Sequence, residues 1–153
     1  MSSNKLSKLI LSTGLCALAA LPLAQAHHSF AMFAMDKTVT LTGTVRTFEW
    51  TNPHGWLWVY VTEVDGKPVA DKDGNPQVWG LEGVAPGEFM RQGINNKSLK
   101  AGDKISVTAH PLKDGRNGGS MGKVTFADGR TLGTDTGLPG MGAGGPPGGA
   151  PAP

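Results

Sequence analysis

The chain has 153 residues with 14 basic and 12 acidic side chains, and its sequence pI is near 8.8. Lys5 and Lys8 precede an apolar run that ends in Ala-Gln-Ala at 24–26, which is typical of a secretory signal peptide, residues 1–26. The run is too short for a membrane span. Cleavage after Ala26 would leave equal numbers of basic and acidic side chains, which argues against nucleic-acid binding.

A signal peptide predicts that the mature protein is periplasmic or secreted. The single cysteine, Cys16, lies inside the predicted signal, so no disulfide is expected in the mature chain. Residues 133–153 are rich in Gly and Pro and have almost no apolar side chains to bury, so we expect a disordered tail. One small domain, residues 27–132, is left to fold.

The hydrophobic pattern of that domain is mostly of the strand type, with side chains alternating between two faces. The predicted elements are strands at 38–48, 56–64 and 77–81, a short helix at 86–92, and strands at 104–109 and 123–126. Three strands, a helix and two strands match the five-stranded, partly open barrel of the OB fold. The sequence therefore predicts an all-β, OB-like barrel with one short helix, with a small β-sandwich as the alternative.

Cleavage after Ala26 would make His27 the amino-terminal residue, followed by His28. A terminal amine and the imidazole of the same residue can chelate a metal, and a further histidine gives a nitrogen-rich site that suits Cu(II). In this respect His27 resembles the amino-terminal ligand of histidine-brace copper proteins. The alternative is a flexible chain start with no ligand.

The other two histidines fall in the loops that flank the ligand face of an OB fold. His54 follows Asn52 and Pro53 in the loop after the first strand, and His110 begins the loop after the fourth. All four histidines are therefore candidate metal ligands, with copper as the expected metal. The alternative is that His54 completes a turn without binding anything.

Tryptophans supply a second candidate surface. Trp56 and Trp58 share one face of the second strand, and Asn52 lies in the loop before it. The two rings are either a stacking platform for a flat ligand or, together with Trp79, part of the barrel core. Exposure of Trp58 would favour the platform.

Three methionines at 32, 35 and 121 provide thioethers that favour Cu(I), although filling of gaps in the core is the more ordinary role. No motif for an enzyme is present: the sequence has no G-x-S-x-G, no H-E-x-x-H and no cysteine in the mature chain. No catalytic residue is predicted.

Four segments together resemble one known family. They are His-His-Ser-Phe at 27–30, Thr-Val-Thr-Leu-Thr-Gly-Thr-Val at 38–45, Glu-Trp-Thr-Asn-Pro-His at 49–54 and Ser-Leu-Lys-Ala-Gly-Asp at 98–103. This set resembles the exported bacterial family known as domain of unknown function 6152, over residues 27–132. The resemblance implies an exported protein with a small β-rich domain, and it brings no established activity.

We therefore expect a non-enzymatic periplasmic binding domain that binds a transition metal, with copper as the expected metal, through His27, His28, His54 and His110. The first alternative is a module that binds a small ligand or a periplasmic protein partner on the tryptophan face without a metal. The second is a small copper oxidase of the histidine-brace type, which needs an open coordination position and a substrate surface.

Overall fold

The computed structural model describes residues 30–133. The predicted signal peptide, the residues His27 and His28, and residues 134–153 of the predicted tail lie outside the described residues, so the expectations for them stay predictions. Within residues 30–133, no helix has both the length and the hydropathy needed to cross a membrane.

The described part of the chain contains seven strands, one α-helix and one turn of 3-10 helix. In chain order they are the 3-10 turn Phe30–Met32, β1 Val39–Glu49, β2 Trp56–Val64, β3 Lys67–Pro68, β4 Gln77–Glu82, α1 Pro86–Arg91, β5 Lys104–Pro111, β6 Gly118–Phe126 and β7 Thr131–Leu132. The predicted strands and the predicted helix are all present, and β3 and β7 are additional short strands.

Five of the strands close into a barrel. β1 pairs with β2 and β5, β5 pairs with β6, β6 with β4, and β4 with β2. The β4–β6 pair is parallel, whereas the other four pairs are antiparallel. The predicted OB-like architecture is therefore confirmed, with the barrel fully closed, and the chain does not form the alternative sandwich. The short strands β3 and β7 pair with β2 and β6, respectively.

The barrel interior is filled mainly by aliphatic side chains that alternate along the strands. On β2, Leu57, Val59 and Val61 are 0% exposed, while the aromatic side chains at the even positions 56–60 lie on the opposite, outer face. Burial of each such aliphatic side chain stabilises the fold by about 1.5–3 kcal/mol. Trp79 on β4 belongs to this core, so among the tryptophans weighed as core residues only this one is buried inside the barrel.

Strand β6 begins at Gly118, five residues before the predicted start at Lys123, and β5 continues to Pro111. Glycine has no side chain to show an alternating pattern, so the sequence did not reveal this extension. A Cβ atom at Gly119 would lie 2.5 Å from the carbonyl oxygen of His110. Glycine is therefore what allows the two strands to pair at this end of the barrel.

Candidate functional site

A cross-strand row of four residues lies on the outer face of the barrel. Trp56 is opposite Glu82, Glu82 is opposite Ser120, and Ser120 is opposite His110. Side chains directly opposite on paired strands point to the same side of a sheet. Their neighbours along the strands fill the barrel interior: Leu57, Leu81, Met121 and Ala109. The cross-strand row therefore faces outward, over β2, β4, β6 and β5.

An aromatic cluster packs against the loop that carries His54. The ring of Phe89 on α1 lies 5.6 Å from that of Trp50 and 5.5 Å from that of Phe48. A Cβ atom at Gly55 would come within 2.9 Å of the Phe89 ring, so only glycine lets the loop lie this close to the helix. Phe89 on helix α1 thus packs against the loop at Gly55, the residue that follows His54.

Backbone hydrogen bonds join the same loop to the chain that follows β4. The N–H of Gly55 donates to the carbonyl of Val84 at 3.0 Å, and the N–H of Gly83 donates to the carbonyl of Gly55 at 2.9 Å. The hydroxyl of Thr51 donates to the carbonyl of His54 at 3.0 Å. The Asn52–Pro53 peptide bond in this loop is cis. These bonds place His54 beside the end of β4.

His54 contacts Glu82, the second member of the cross-strand row. Its Nδ1 atom bonds to Oε1 of the carboxylate. The Glu82 side chain is only 8% exposed, whereas that of His54 is 37% exposed. A buried carboxylate is stable only when it is paired or hydrogen-bonded, so this contact is part of what makes the burial of Glu82 tolerable. An ionised carboxylate only accepts, so Nδ1 of His54 carries the proton.

His110, the last member of the row, has an equivalent bond on the same ring atom. Its Nδ1 lies 2.7 Å from the carbonyl oxygen of Lys37. A carbonyl oxygen can only accept, so Nδ1 of His110 is the donor. In the neutral form of both histidines, the lone pair is therefore on Nε2. Both loop histidines thus have the same tautomer, set by an oxygen acceptor on Nδ1.

The first described residues lie along the same part of the barrel. Phe33 forms an isolated β-bridge with Leu112, just after β5, and the N–H of Ala34 donates to the carbonyl of Pro111 at 2.8 Å. The N–H of Lys113 donates to the carbonyl of Met32 at 2.9 Å. The chain that follows the predicted ligands His27 and His28 is therefore attached beside His110.

A pocket of about 380 Å³ lies next to the cross-strand row, and we call it the tryptophan pocket. Its lining consists of Met32, Phe33, Trp56, Trp58, Gly80, Leu112, Arg116, Asn117, Gly118 and Gly119. The Trp56 and Trp58 rings are stacked, with centroids 6.0 Å apart and planes inclined by 23°. Both rings are half-buried on the outer face. This position favours the platform interpretation for Trp56 and Trp58 over the core interpretation.

Arg116 is oriented by Asp114 in the loop between β5 and β6. Its backbone N–H donates to Oδ1 at 3.1 Å and its Nε to Oδ2 at 2.8 Å. The backbone N–H bond, followed by the side-chain bond, lowers the pKa of Asp114 below its ordinary value. The guanidinium is therefore held at the rim of the tryptophan pocket by a carboxylate that stays ionised at neutral pH.

The structure brings some of the predicted site residues together and leaves others apart. His54 and His110 lie at the two ends of the region around Glu82 and Ser120, on one face. Asn52 is exposed and is not among the residues that line the tryptophan pocket. Met121 is in the core. Among residues 30–133, no group of three His, Cys, Asp or Glu side chains is arranged to hold a metal ion.

Glu82, Ser120 and Arg116 are site residues that the sequence analysis did not identify. Glu82 lies at the end of β4 and becomes a partner of His54 only through the β2–β4 register. Ser120 is reached through the parallel β4–β6 pair. A sequence signal exists for Arg116 alone, since Asp114-Gly115-Arg116 is a turn in which a carboxylate can orient the arginine.

Comparisons with known proteins identify a family and bring no activity. A family model described as a family of unknown function (DUF6152) matches residues 15–121, more than two thirds of the chain. Neither a curated protein nor a solved structure gives a match. The chain belongs to the DUF6152 family of unknown function.

Proposed function

We propose that this protein is an exported metal-binding protein, and that His54 and His110 bind copper together with the predicted amino-terminal residue His27 and its neighbour His28. One observation carries the proposal. Both loop histidines direct Nδ1 at an oxygen acceptor, so the lone pair of each ring is on Nε2.

This arrangement is the one that metal-binding histidines usually have. A ligating imidazole donates its other ring N–H to a carboxylate or a backbone carbonyl, and this bond fixes the tautomer and the ring orientation. His54 has the carboxylate of Glu82 in that role, and His110 has the carbonyl of Lys37. The buried charge of Glu82 would also stabilise a cation bound on the far side of the His54 ring.

In this proposal the remaining ligands come from the residues that precede Phe30, since no group of three His, Cys, Asp or Glu side chains among residues 30–133 is arranged to hold a metal ion. Met32 is held against Lys113, close to His110. His28 is four residues before Met32, and a chain of that length spans at most about 14 Å. Two strand spacings separate Glu82 from His110, a distance of roughly 10 Å. The chain length would therefore allow the predicted ligand His28 to reach the cross-strand row.

The chemistry of this donor set favours copper. Imidazoles and a terminal amine form a nitrogen-rich site, and Cu(II) has the highest affinity for such sites among the divalent first-row metals. A copper oxidase would need a vacant coordination position in addition, so the proposal is limited to binding.

The decisive experiment compares two forms of the signal-cleaved protein, one beginning at His27 and one with a single extra residue before His27. Each is titrated with Cu(II), and binding is followed by calorimetry and by the hyperfine splitting of the copper in electron paramagnetic resonance. We expect tight binding with one ion per chain for the first form. The second form should bind much more weakly, because the amine of His27 has become an amide.

Variants of the loop residues test the other half of the site. Glu82→Gln should weaken Cu(II) binding about 10–100-fold, the loss typical when the hydrogen-bonding partner of a ligating histidine is changed. His54→Gln and His110→Gln should each weaken Cu(II) binding at least as much. Asn52→Ala, in the same loop as His54, is the matched control and should bind normally. Equal affinity of the two amino-terminal forms, or no binding by either, would show that the terminal chelate does not exist.

A further inference from the structure

We infer that the tryptophan pocket binds a small organic acid that has a flat, apolar body and a carboxylate. This inference does not depend on the metal site. It rests on the pocket's size, on the composition of its walls and floor, and on the free donors of Arg116.

The size and walls of the pocket suit a small molecule. Its volume of about 380 Å³ lies near the lower end of the range for small-molecule sites. Its walls are the indoles of Trp56 and Trp58 together with Met32, Phe33 and Leu112. The two indoles are stacked with each other, so a flat ligand ring can extend the stack on an outer indole face.

The floor of the pocket is made of backbone. Gly80 on β4 is opposite Gly118 on β6, and neither has a side chain to fill the space above the sheet. A Cβ atom at Gly80 would lie 2.8 Å from Cζ3 of Trp58, and one at Gly118 would lie 2.9 Å from Cδ1 of Leu112. Glycine at both positions therefore lets the side chains of Trp58 and Leu112 pack directly against the sheet, where they form part of the pocket's lining.

The positive charge of Arg116 favours a carboxylate over a neutral group in the ligand. Arg116 is the charged side chain among the described residues that line the pocket, and no carboxylate is among them. Its Nε is bonded to Asp114, so the two terminal nitrogens remain available, and its side chain is 73% exposed. The terminal nitrogens of a guanidinium can donate two parallel hydrogen bonds to a carboxylate.

The indole of Trp58, which lines the pocket, also has a hydrogen-bond donor without an acceptor among the described residues. Within the described residues, Nε1 of Trp58 is buried and has no hydrogen-bond acceptor. An unmade hydrogen bond of this kind is costly, so a buried donor normally has an acceptor from the protein, a water or a ligand. A ligand that moves the Trp58 indole on binding would give this donor an acceptor oxygen.

Three probes test the inference in the signal-cleaved protein, with a chelator present so that no metal contributes. Benzoate has both the ring and the carboxylate, benzamide has the ring without the charge, and acetate has the charge without the ring. Binding is measured by calorimetry and by the shift of the Trp58 indole N–H resonance in proton–nitrogen correlation spectra. We expect saturable binding of benzoate, with binding of benzamide and acetate at least tenfold weaker.

The sequence provides a matched control for Arg116. Asp128-Gly129-Arg130 repeats the same turn, with the Arg130 backbone N–H and Nε each bonded to Asp128 at 2.9 Å, but Arg130 lies over the ring of Phe126. Arg116→Gln should weaken benzoate binding about tenfold or more, whereas Arg130→Gln should leave it unchanged. Both side chains are exposed, so both variants should fold.

Each other outcome overturns the inference. Equal binding of benzamide and benzoate would show that no carboxylate is recognised, and equal losses in the two arginine variants would place the effect outside the pocket. Absence of saturable benzoate binding would mean that the pocket takes another occupant, such as a protein partner or a different segment of this chain. A failed result here leaves the copper proposal untouched, because the chelator removes metal from every titration.

Discussion

The imidazole of His54 is bonded through Nδ1 to the carboxylate of Glu82, which is buried although it lies on the outer face of the barrel. This contact joins the loop between β1 and β2 to the end of β4. It therefore has consequences for stability that do not depend on any ligand.

Glu82→Ala should destabilise the protein. The variant removes a buried carboxylate and leaves Nδ1 of His54 without its acceptor, which costs about 1–3 kcal/mol in the free energy of unfolding. Urea unfolding followed by circular dichroism measures the loss. Asp73→Ala is the control, because the Asp73 side chain is 61% exposed and pairs with Lys72 at the surface. Its effect should stay within about 0.5 kcal/mol, and equal effects of the two variants would contradict a structural role for Glu82.

Gly80→Ala should disturb the tryptophan pocket. The added Cβ would lie 2.8 Å from the Trp58 ring, so the ring must move or the strand must shift, at a cost of about 1–3 kcal/mol. Near-ultraviolet circular dichroism should change together with the loss of stability. Gly87→Ala on α1 is the control, because nothing lies within 4 Å of its new Cβ. Gly87→Ala should stabilise the protein by about 0.4–1 kcal/mol. If Gly87→Ala instead destabilises the protein, the loss in Gly80→Ala cannot be assigned to the contact with Trp58.

Phe89→Ala should both destabilise the fold and loosen the His54 loop. Phe89 is 0% exposed and contacts the rings of Phe48 and Trp50, so truncation leaves a cavity and costs about 3–5 kcal/mol. Hydrogen exchange at the Gly55 amide, which reports loop opening, should become faster. Met90→Ala changes the next residue, whose side chain is 62% exposed, and should have little effect on either measurement. If hydrogen exchange at the Gly55 amide is unchanged in Phe89→Ala, helix α1 does not restrain the His54 loop.

Protonation of Asp114 at low pH should weaken the hydrogen bonds that hold the turn Asp114-Gly115-Arg116. Asp114 has a pKa below its ordinary 3.8, with the backbone N–H of Arg116 as the largest cause and the side chain of Arg116 as the next. A carboxyl group whose pKa is lowered by folding stabilises the folded turn above its ordinary pKa. That contribution is lost as the pH falls through the lowered value.

Carbon-detected titration of the Asp114 carboxyl checks this prediction. Arg116→Gln should raise the pKa of Asp114 only part of the way to 3.8, because the backbone N–H bond remains. Asp128, whose pKa is lowered in the same way by Arg130, serves as an internal control and should titrate as before. A full return of Asp114 to 3.8 would mean that the side chain, and not the backbone, holds the turn together.

The sequence determined the elements and the class of fold. Alternation along 38–48 and 56–64, the turn residues between the strands and the position of the helix were enough to predict a five-stranded barrel. They were enough because side-chain alternation and turn chemistry are local properties of the chain. The start of β6 could not be predicted from side-chain alternation, because Gly118 and Gly119 have no side chains.

The sequence also separated the side chains of β2 into two sets but could not tell which set faces inward. Both sets are apolar enough to be buried. In the closed barrel Leu57, Val59 and Val61 face the interior, so Trp56 and Trp58, which alternate with them along β2, lie outside. Trp56 and Trp58, which the sequence left as candidates for the core, therefore form a wall of the tryptophan pocket.

The site itself was decided by the tertiary structure. His54 and His110 could be named from their loops, but their common tautomer depends on Glu82 and on the Lys37 carbonyl, both distant in sequence. Strand register brings these groups together, and a slip of one residue in β4 would turn Glu82 into the barrel. Local sequence determines which residues alternate, whereas register, which is a property of pairs of strands, determines which of them meet.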